Sequence, residues 1–131
     1  MPASEDYGQT MKSKGGISRV FKALGYTWDG LKAAIQYEEA FKQELIVVVP
    51  LAIAAWFIPV PLLERALLFS VLQIILIVEL INSAIEANTD YISLDRHPLA
   101  KRAKDMGSAA VFLSIVVALT TWTCVLWQRF A

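Results

Sequence analysis

The sequence predicts an all-α membrane protein with three transmembrane helices behind an N-terminal amphipathic surface helix. Three observations predict it. Hydrophobic residues make up 56% of the 131 positions, and mean hydropathy is +0.51, above the roughly 45–50% apolar content of soluble domains. Three long apolar runs follow about forty mostly polar residues. The charges collect between those runs: twelve Lys and Arg balance twelve Asp and Glu to a net charge of zero. Such a chain has no global field drawing it to nucleic acid, and none is expected as a partner. Cys124 is the only cysteine, which excludes an intrachain disulfide and leaves the redox compartment open. The polar N-terminal region does not read as a signal peptide. Residues 15–131 are expected to form one membrane domain.

Residues 1–14, MPASEDYGQTMKSK, have no periodic apolar face and read as a disordered tail. The surface segment then spans about 16–43. In GGISRVFKALGY, Ile17, Val20, Phe21 and Leu24 recur at helical spacing, and Gly25 suits a C′ stop. In TWDGLKAAIQYEEAFKQE a second amphipathic helix is expected, with Asp29 as N-cap and Leu31, Ala34, Ile35 and Phe41 on one side. Basic amphipathic helices ahead of a hydrophobic span suit the membrane interface. The first span runs over about 45–63, kinked at Pro50 and closed by Pro59 and Pro61. The second covers about 66–90. The third covers about 106–127, long enough for a bilayer, on a helix that starts earlier with Pro98 near N1 behind His97.

Lys and Arg counts set the orientation. Lys12, Lys14, Arg19, Lys22, Lys32 and Lys42 precede the first span, and Arg96, Lys101, Arg102 and Lys104 lie in the connector between spans two and three. Only Arg65 and Arg129 lie on the other side. The N-terminus and the connector are therefore expected in the cytoplasm, with Trp122 and Trp127 near the far interface.

Charge inside a span is the chemical signal. In VELINSAIEANTD, residues 78–90, Glu86 falls about 20° from Glu79 around a helix and Asp90 about 20° to the other side. Asn82 and Ser83 flank that line. Glu79 lies about 10 Å deeper than Glu86. An acid at a span's centre disfavours insertion by roughly 2.5–3.5 kcal/mol, so it should face protein or a wet cavity. Lys101, Lys104, Asp105 and Ser108 form a second polar stripe at the same end of span three, and Glu38 and Glu39 approach that level.

Carboxylates at Glu38 and Glu86, with no soft ligand nearby, suit Mg²⁺ held together with substrate phosphates. Lys104 offers a point charge to a phosphate, and the buried Glu79 suits a general base towards a lipid hydroxyl. These parts point to phosphoryl transfer onto a membrane-embedded alcohol. Neither a P-loop nor a protein-kinase signature is present. Blander readings stand beside these. Asn82 and Ser108 suit plain helix–helix hydrogen bonding, and Ala110, Ser114 and Ala118 a helix-packing line. Lys101 and Arg102 suit topology or headgroup contact, Glu39 and Glu44 a solvated face, and the lone His97 a structural or loop role.

From about Gly16 to the C-terminus the chain resembles the small prokaryotic diacylglycerol kinase family. The resemblance rests on ALGYTWDGLKAA (23–34), EEAFKQE (38–44), VELINSAIEANTD (78–90) and AKRAKDMGSAAV (100–111). It implies a homotrimeric bundle whose active sites are shared between subunits, in the bacterial inner membrane. The implied reaction passes the γ-phosphate of MgATP to diacylglycerol, giving phosphatidic acid, or to undecaprenol in Gram-positive relatives.

The resemblance makes Glu79 the general base, with Asn82, Lys104 and Asp105 catalytic beside it, and makes Glu38 and Glu86 the metal-holding pair. It places Arg19, Tyr26, Thr27, Asp95, Arg96 and His97 at the nucleotide together with Glu38, Glu86, Lys104 and Asp105. It places Arg19, Lys32, Phe41, Lys42, Ser108 and Trp122 with Glu79 at the lipid. Glu39, Lys42 and Lys101 depart from the family pattern. From a different class, a proton-coupled transporter or an oligomeric scaffold could use Glu79 as a relay. Span one has no charge between Leu45 and Leu63, which opposes a transmembrane relay.

Overall fold

The computed structural model describes residues 16–131 as four helices in chain order: α1 (Ile17–Tyr37), α2 (Glu39–Ala55), α3 (Leu62–Ile92) and α4 (Pro98–Phe130). The tail expected over 1–14 lies outside the described residues.

The surface segment is one helix rather than two. Gly16 starts α1 at φ 83°, a left-handed conformation that suits glycine. Gly25 and Gly30 lie inside α1, and Gly16 is the only positive-φ glycine among the described residues. The left-handed C′ stop expected at Gly25 is therefore absent, and Thr27 Oγ1 donates back to the Ala23 carbonyl at 2.9 Å as the helix continues. Asp29 is no N-cap; it lies 3.9 Å from Lys32 Nζ, one turn on. The break falls instead at Glu38, which is extended at φ −108°, ψ 103°. Residues 39–43, expected on the surface helix, thus open the helix that leads into the first apolar run.

Helix α2 runs through Pro50 to Ala55. Its 17 residues cover about 25 Å, short of the roughly 30 Å bilayer core. A turn through Trp56–Pro61 follows. Arg65 Nε donates to the Val60 carbonyl at 2.9 Å and Arg129 Nε to the Pro59 carbonyl at 2.8 Å, so two arginines hold carbonyls of this proline-rich turn. Among the described residues, α3 (31 residues) and α4 (33 residues) are the two helices long and apolar enough to cross a membrane. Helix α3 contains neither Gly nor Pro, so nothing interrupts it. Helix α4 begins as expected, with Pro98 in its first turn and the His97 Nδ1 accepting from the Leu99 amide at 3.1 Å. That is the structural role foreseen for a lone histidine.

Helix α3 lies at the centre, packed against both α2 and α4. One buried cluster joins Val48, Val71, Leu72, Ile75 and Ala118; a second joins Ala55, Val60, Leu68 and Val125 near the proline turn. Trp122 packs against both clusters, and its indole N–H donates to the Leu68 carbonyl at 3.2 Å. It pins α4 to α3 near the proline-turn end of the pair. Of the expected small-residue line, Ser114 and Ala118 are buried and Ala110 is exposed; Gly107 extends the line instead. Many large apolar side chains stay exposed along the helices, among them Ile46, Phe57, Leu63, Ile77 and Leu119. Apolar surface on that scale belongs against lipid or another chain.

Candidate active site

The polar stripe of α3 forms as the spacing predicts, and its burial is graded. Glu79, Asn82 and Ser83 are buried, Glu86 is half-buried and Asp90 is exposed. Helix periodicity puts these groups on one side, and packing against α2 and α4 covers the inner end.

Asn82 is the hinge of the arrangement. Its Nδ2 donates to Glu86 Oε1 at 3.4 Å, a long contact one turn along α3. Its Oδ1 is buried without a donor and occupies the place where a Cβ on residue 107 would stand. Gly107 is therefore required by close approach: only a residue without Cβ lets α4 come this near to α3. The Asn82 carbonyl oxygen then faces the Gly107 Cα, where a weak C–H···O contact is available.

The stripe of α4 meets that of α3 beyond this point. Lys104 Nζ reaches Asp90 Oδ1 at 2.7 Å across the two helices, while Lys101 and Asp105 pair along α4. The hydrogen bond to Asp90 holds the Lys104 ammonium pKa above its ordinary value, and Asp105 does the same for Lys101. Lys101 is thus engaged by Asp105. A cavity of about 640 Å³ opens between the α3 end and the α4 start. It is lined by Asp90, Asp95, Arg96, His97, Lys104 and Asp105 among others, so five of the sequence-predicted nucleotide residues share one space.

Glu38 is half-buried at the α1–α2 joint and lines a groove of about 600 Å³ between α1 and α3 with Thr27 and Ser83. A further groove of about 500 Å³ runs between α2 and α4, over Leu72 and Ile75 of α3; Trp122 and Glu44 line it. Phe41 is buried in the fold, with 2% of its surface exposed, and reads as packing at the start of α2. Lys42 is half-buried and pairs with the exposed Glu39 at 2.9 Å.

The single chain leaves other predicted residues apart. Arg19, Tyr26 and Lys32 are exposed on α1, with Lys32 over the Trp28 ring at 5.9 Å, and Ser108 is exposed on α4. None of the four lines the cavity at the α3–α4 end. Among the described residues no three His, Cys, Asp or Glu side chains converge as a metal cage. Glu38 and Glu86 are two hard oxygen donors, which suits a cation that takes its remaining ligands from substrate phosphates and water.

Sequence reasoning missed three participants. Asp90 was visible on the stripe, but its partner on α4 required the helix–helix register. Gly107 sits in the quoted AKRAKDMGSAAV, where its contact with Asn82 has no local signature. Glu44 is no solvated residue: its Oε2 is fully buried, and it lines the groove between α2 and α4.

Fold and site together define a small helical protein that gathers a buried acid, two half-buried acids and a cavity lined by charges of both signs on an apolar bundle. The profile described as prokaryotic diacylglycerol kinase matches residues 25–126. Relatives named diacylglycerol kinase include those of Escherichia coli (strain K12) and Pseudomonas aeruginosa, each 47% identical over 115 residues, covering 88% of this chain and 94% of the relative. The Helicobacter pylori (strain 26695) protein of the same name is 40% identical over 125 residues, covering 95% of this chain and 93% of its own. The chain belongs to the prokaryotic diacylglycerol kinase family and is a lipid kinase. The transporter and scaffold readings fall with that result.

Proposed function

We propose that this enzyme transfers the γ-phosphate of MgATP to the free hydroxyl of diacylglycerol, giving phosphatidic acid. The observation that carries the reading is the graded stripe: Glu79 buried, Asn82 bonded to the half-buried Glu86, and Asp90 at the cavity lined by Lys104 and Asp105. Similarity to several bacterial diacylglycerol kinases supports diacylglycerol over undecaprenol as acceptor.

ATP binds in the cavity between the α3 end and the α4 start. Lys104 exchanges Asp90 for a phosphate oxygen, and Arg96 and His97 flank the nucleotide. Glu38 and Glu86 would hold Mg²⁺, which would supply charge neutralisation to the transferred phosphate. Glu79 accepts the lipid hydroxyl proton as that oxygen attacks the γ-phosphorus in line, and ADP departs from the opposite side. Asn82 orients Glu86 and keeps the two acids in one register. No enzyme nucleophile takes part, so rate comes from positioning and electrostatics.

Residues 45–63 complete a third crossing of the bacterial inner membrane, because the Trp56–Pro61 turn adds apolar length to α2. The Lys and Arg distribution puts the N-terminus in the cytoplasm. Arg19, Tyr26 and Lys32 lie apart from the cavity of their own chain. A homotrimer with shared sites lets a neighbouring subunit bring them in and covers the exposed apolar faces.

The test is an ATP phosphorylation assay in mixed micelles that offers diacylglycerol and undecaprenol separately, with and without a chelator. The expected result is Mg²⁺-dependent phosphatidic acid from the wild type, with undecaprenol a poor acceptor. Transfer to neither lipid would sink the reading.

A further inference from the structure

The cavity between the α3 end and the α4 start carries no net charge of its own. Its charged lining is Asp90, Asp95 and Asp105 against Arg96, Lys101 and Lys104. His97 adds nothing to the balance, because its Nδ1 accepts from the Leu99 amide and so carries no proton. A polyphosphate binds where positive charge is in surplus. Here three acids cancel three cations.

The three cations are held differently. Lys101 pairs with Asp105 one turn along α4, an arrangement that helical spacing alone supplies. Arg96 has no carboxylate partner among the described residues. Lys104 is held from the other helix: Asp90, in the last turn of α3, meets its Nζ at 2.7 Å. A phosphate oxygen would take the same separation on that ammonium. The Lys104 side chain is 42% exposed and that of Asp90 48%, and both line the cavity. An ion pair so open to solvent is a weak one that an incoming anion can displace.

We propose that Asp90 is a positioning residue that acts through Lys104. Its carboxylate stands in for phosphate in the empty cavity, aims the ammonium at the cavity, and competes for it with every phosphate ligand. ATP and ADP are weakened alike, and as ADP leaves, Asp90 takes Lys104 back. The inference deepens the reading of this cavity as the nucleotide site and rests on it. Lys101 cannot be the exchanged cation in the same sense, since Asp105 follows it along one helix.

The test uses full-length wild type, Asp90→Asn, Asp90→Ser and Asp90→Glu in detergent, with MgADP as the probe in calorimetric titrations that contain no lipid. Asp90→Asn and Asp90→Ser should tighten the Kd for MgADP about 3- to 10-fold, through loss of an exposed ion pair and of one repulsive charge. KM for ATP should fall by a similar factor, while KM for diacylglycerol stays at the wild-type value. Asp90→Glu restores a carboxylate within reach of Lys104 and should keep the wild-type Kd within about twofold. On a Lys104→Met background, adding Asp90→Asn should change the Kd by less than about twofold. A contact that merely joined the two helices would not tighten nucleotide when removed. Unchanged or weaker MgADP binding in both Asp90→Asn and Asp90→Ser overturns the proposal, as does a full gain without Lys104. A wild type that binds no MgADP overturns instead the nucleotide reading on which the proposal rests. A wild type that binds MgADP, with tighter binding in both variants but no lipid phosphorylation, overturns the proposed reaction and leaves the role of Asp90 standing.

Discussion

The two ends of the α3–α4 pair are built on opposite principles. At the proline-turn end Leu68 and Ala55 are fully buried, Val60 and Val125 close around them, and Trp122 hydrogen-bonds the α3 backbone. Arginines satisfy the turn's carbonyls. At the other end the helices meet through Asn82 on Gly107 and Lys104 on Asp90, and buried Asn82 Oδ1 and Ser83 Oγ lack donors. One end is fully packed; the other keeps unmet polar groups and open cavities. The difference teaches where packing and polarity are divided: buried polar atoms without partners weaken a fold, and here they accumulate beside the buried and half-buried acids of α3.

The largest effect expected from probing this contrast is on activity alone. Glu79→Gln should lower kcat about 10²- to 10⁴-fold, the range for general-base removal, while its resistance to unfolding in detergent matches or exceeds wild type. A clear loss of stability would show that the acid end also holds the fold. At the packed end, Leu68→Ala should destabilise by about 2 kcal/mol, the lower part of the range for core truncation because lipid rather than water receives the opened helices. The folded fraction should keep wild-type kcat, as measured by lipid phosphorylation normalised to native protein.

Gly107→Ala sharpens the comparison from the polar side. A Cβ there collides with Asn82 Oδ1, so overpacking of about 1–3 kcal/mol is expected, together with reduced kcat because Asn82 is displaced from Glu86. Denaturation and turnover measured on one sample check both halves. Arg129→Ala is the smallest: losing its bond to the Pro59 carbonyl should lower stability by about 1 kcal/mol, with kcat unchanged. Lost activity there would couple the two ends.

Much of this was legible in the sequence because periodicity carries it. The stripe Glu79–Asn82–Glu86–Asp90 needs only helical spacing, and His97-Pro98 marks its own helix start. The single surface helix was not legible, since Gly25 and Asp29 signal a stop and a start as strongly as Gly16 and Glu38 do. Propensity left the choice open, and the continuous α1 overrode it. Glu44 was hidden for a different reason. Its neighbours in EEAFKQE are mostly charged or polar, and only the folded structure reveals that one oxygen is enclosed. Residue type alone could not show that the Trp122 indole donates to a backbone carbonyl on α3.

Glu38 is the only extended residue between α1 and α2. The 21-residue α1 is an arm about 30 Å long, mounted on the two backbone dihedrals of a residue that lines the groove between α1 and α3. Any tilt of the arm is geared to that residue with almost no slack. Whatever α1 rests on thereby acts on that groove through a single residue.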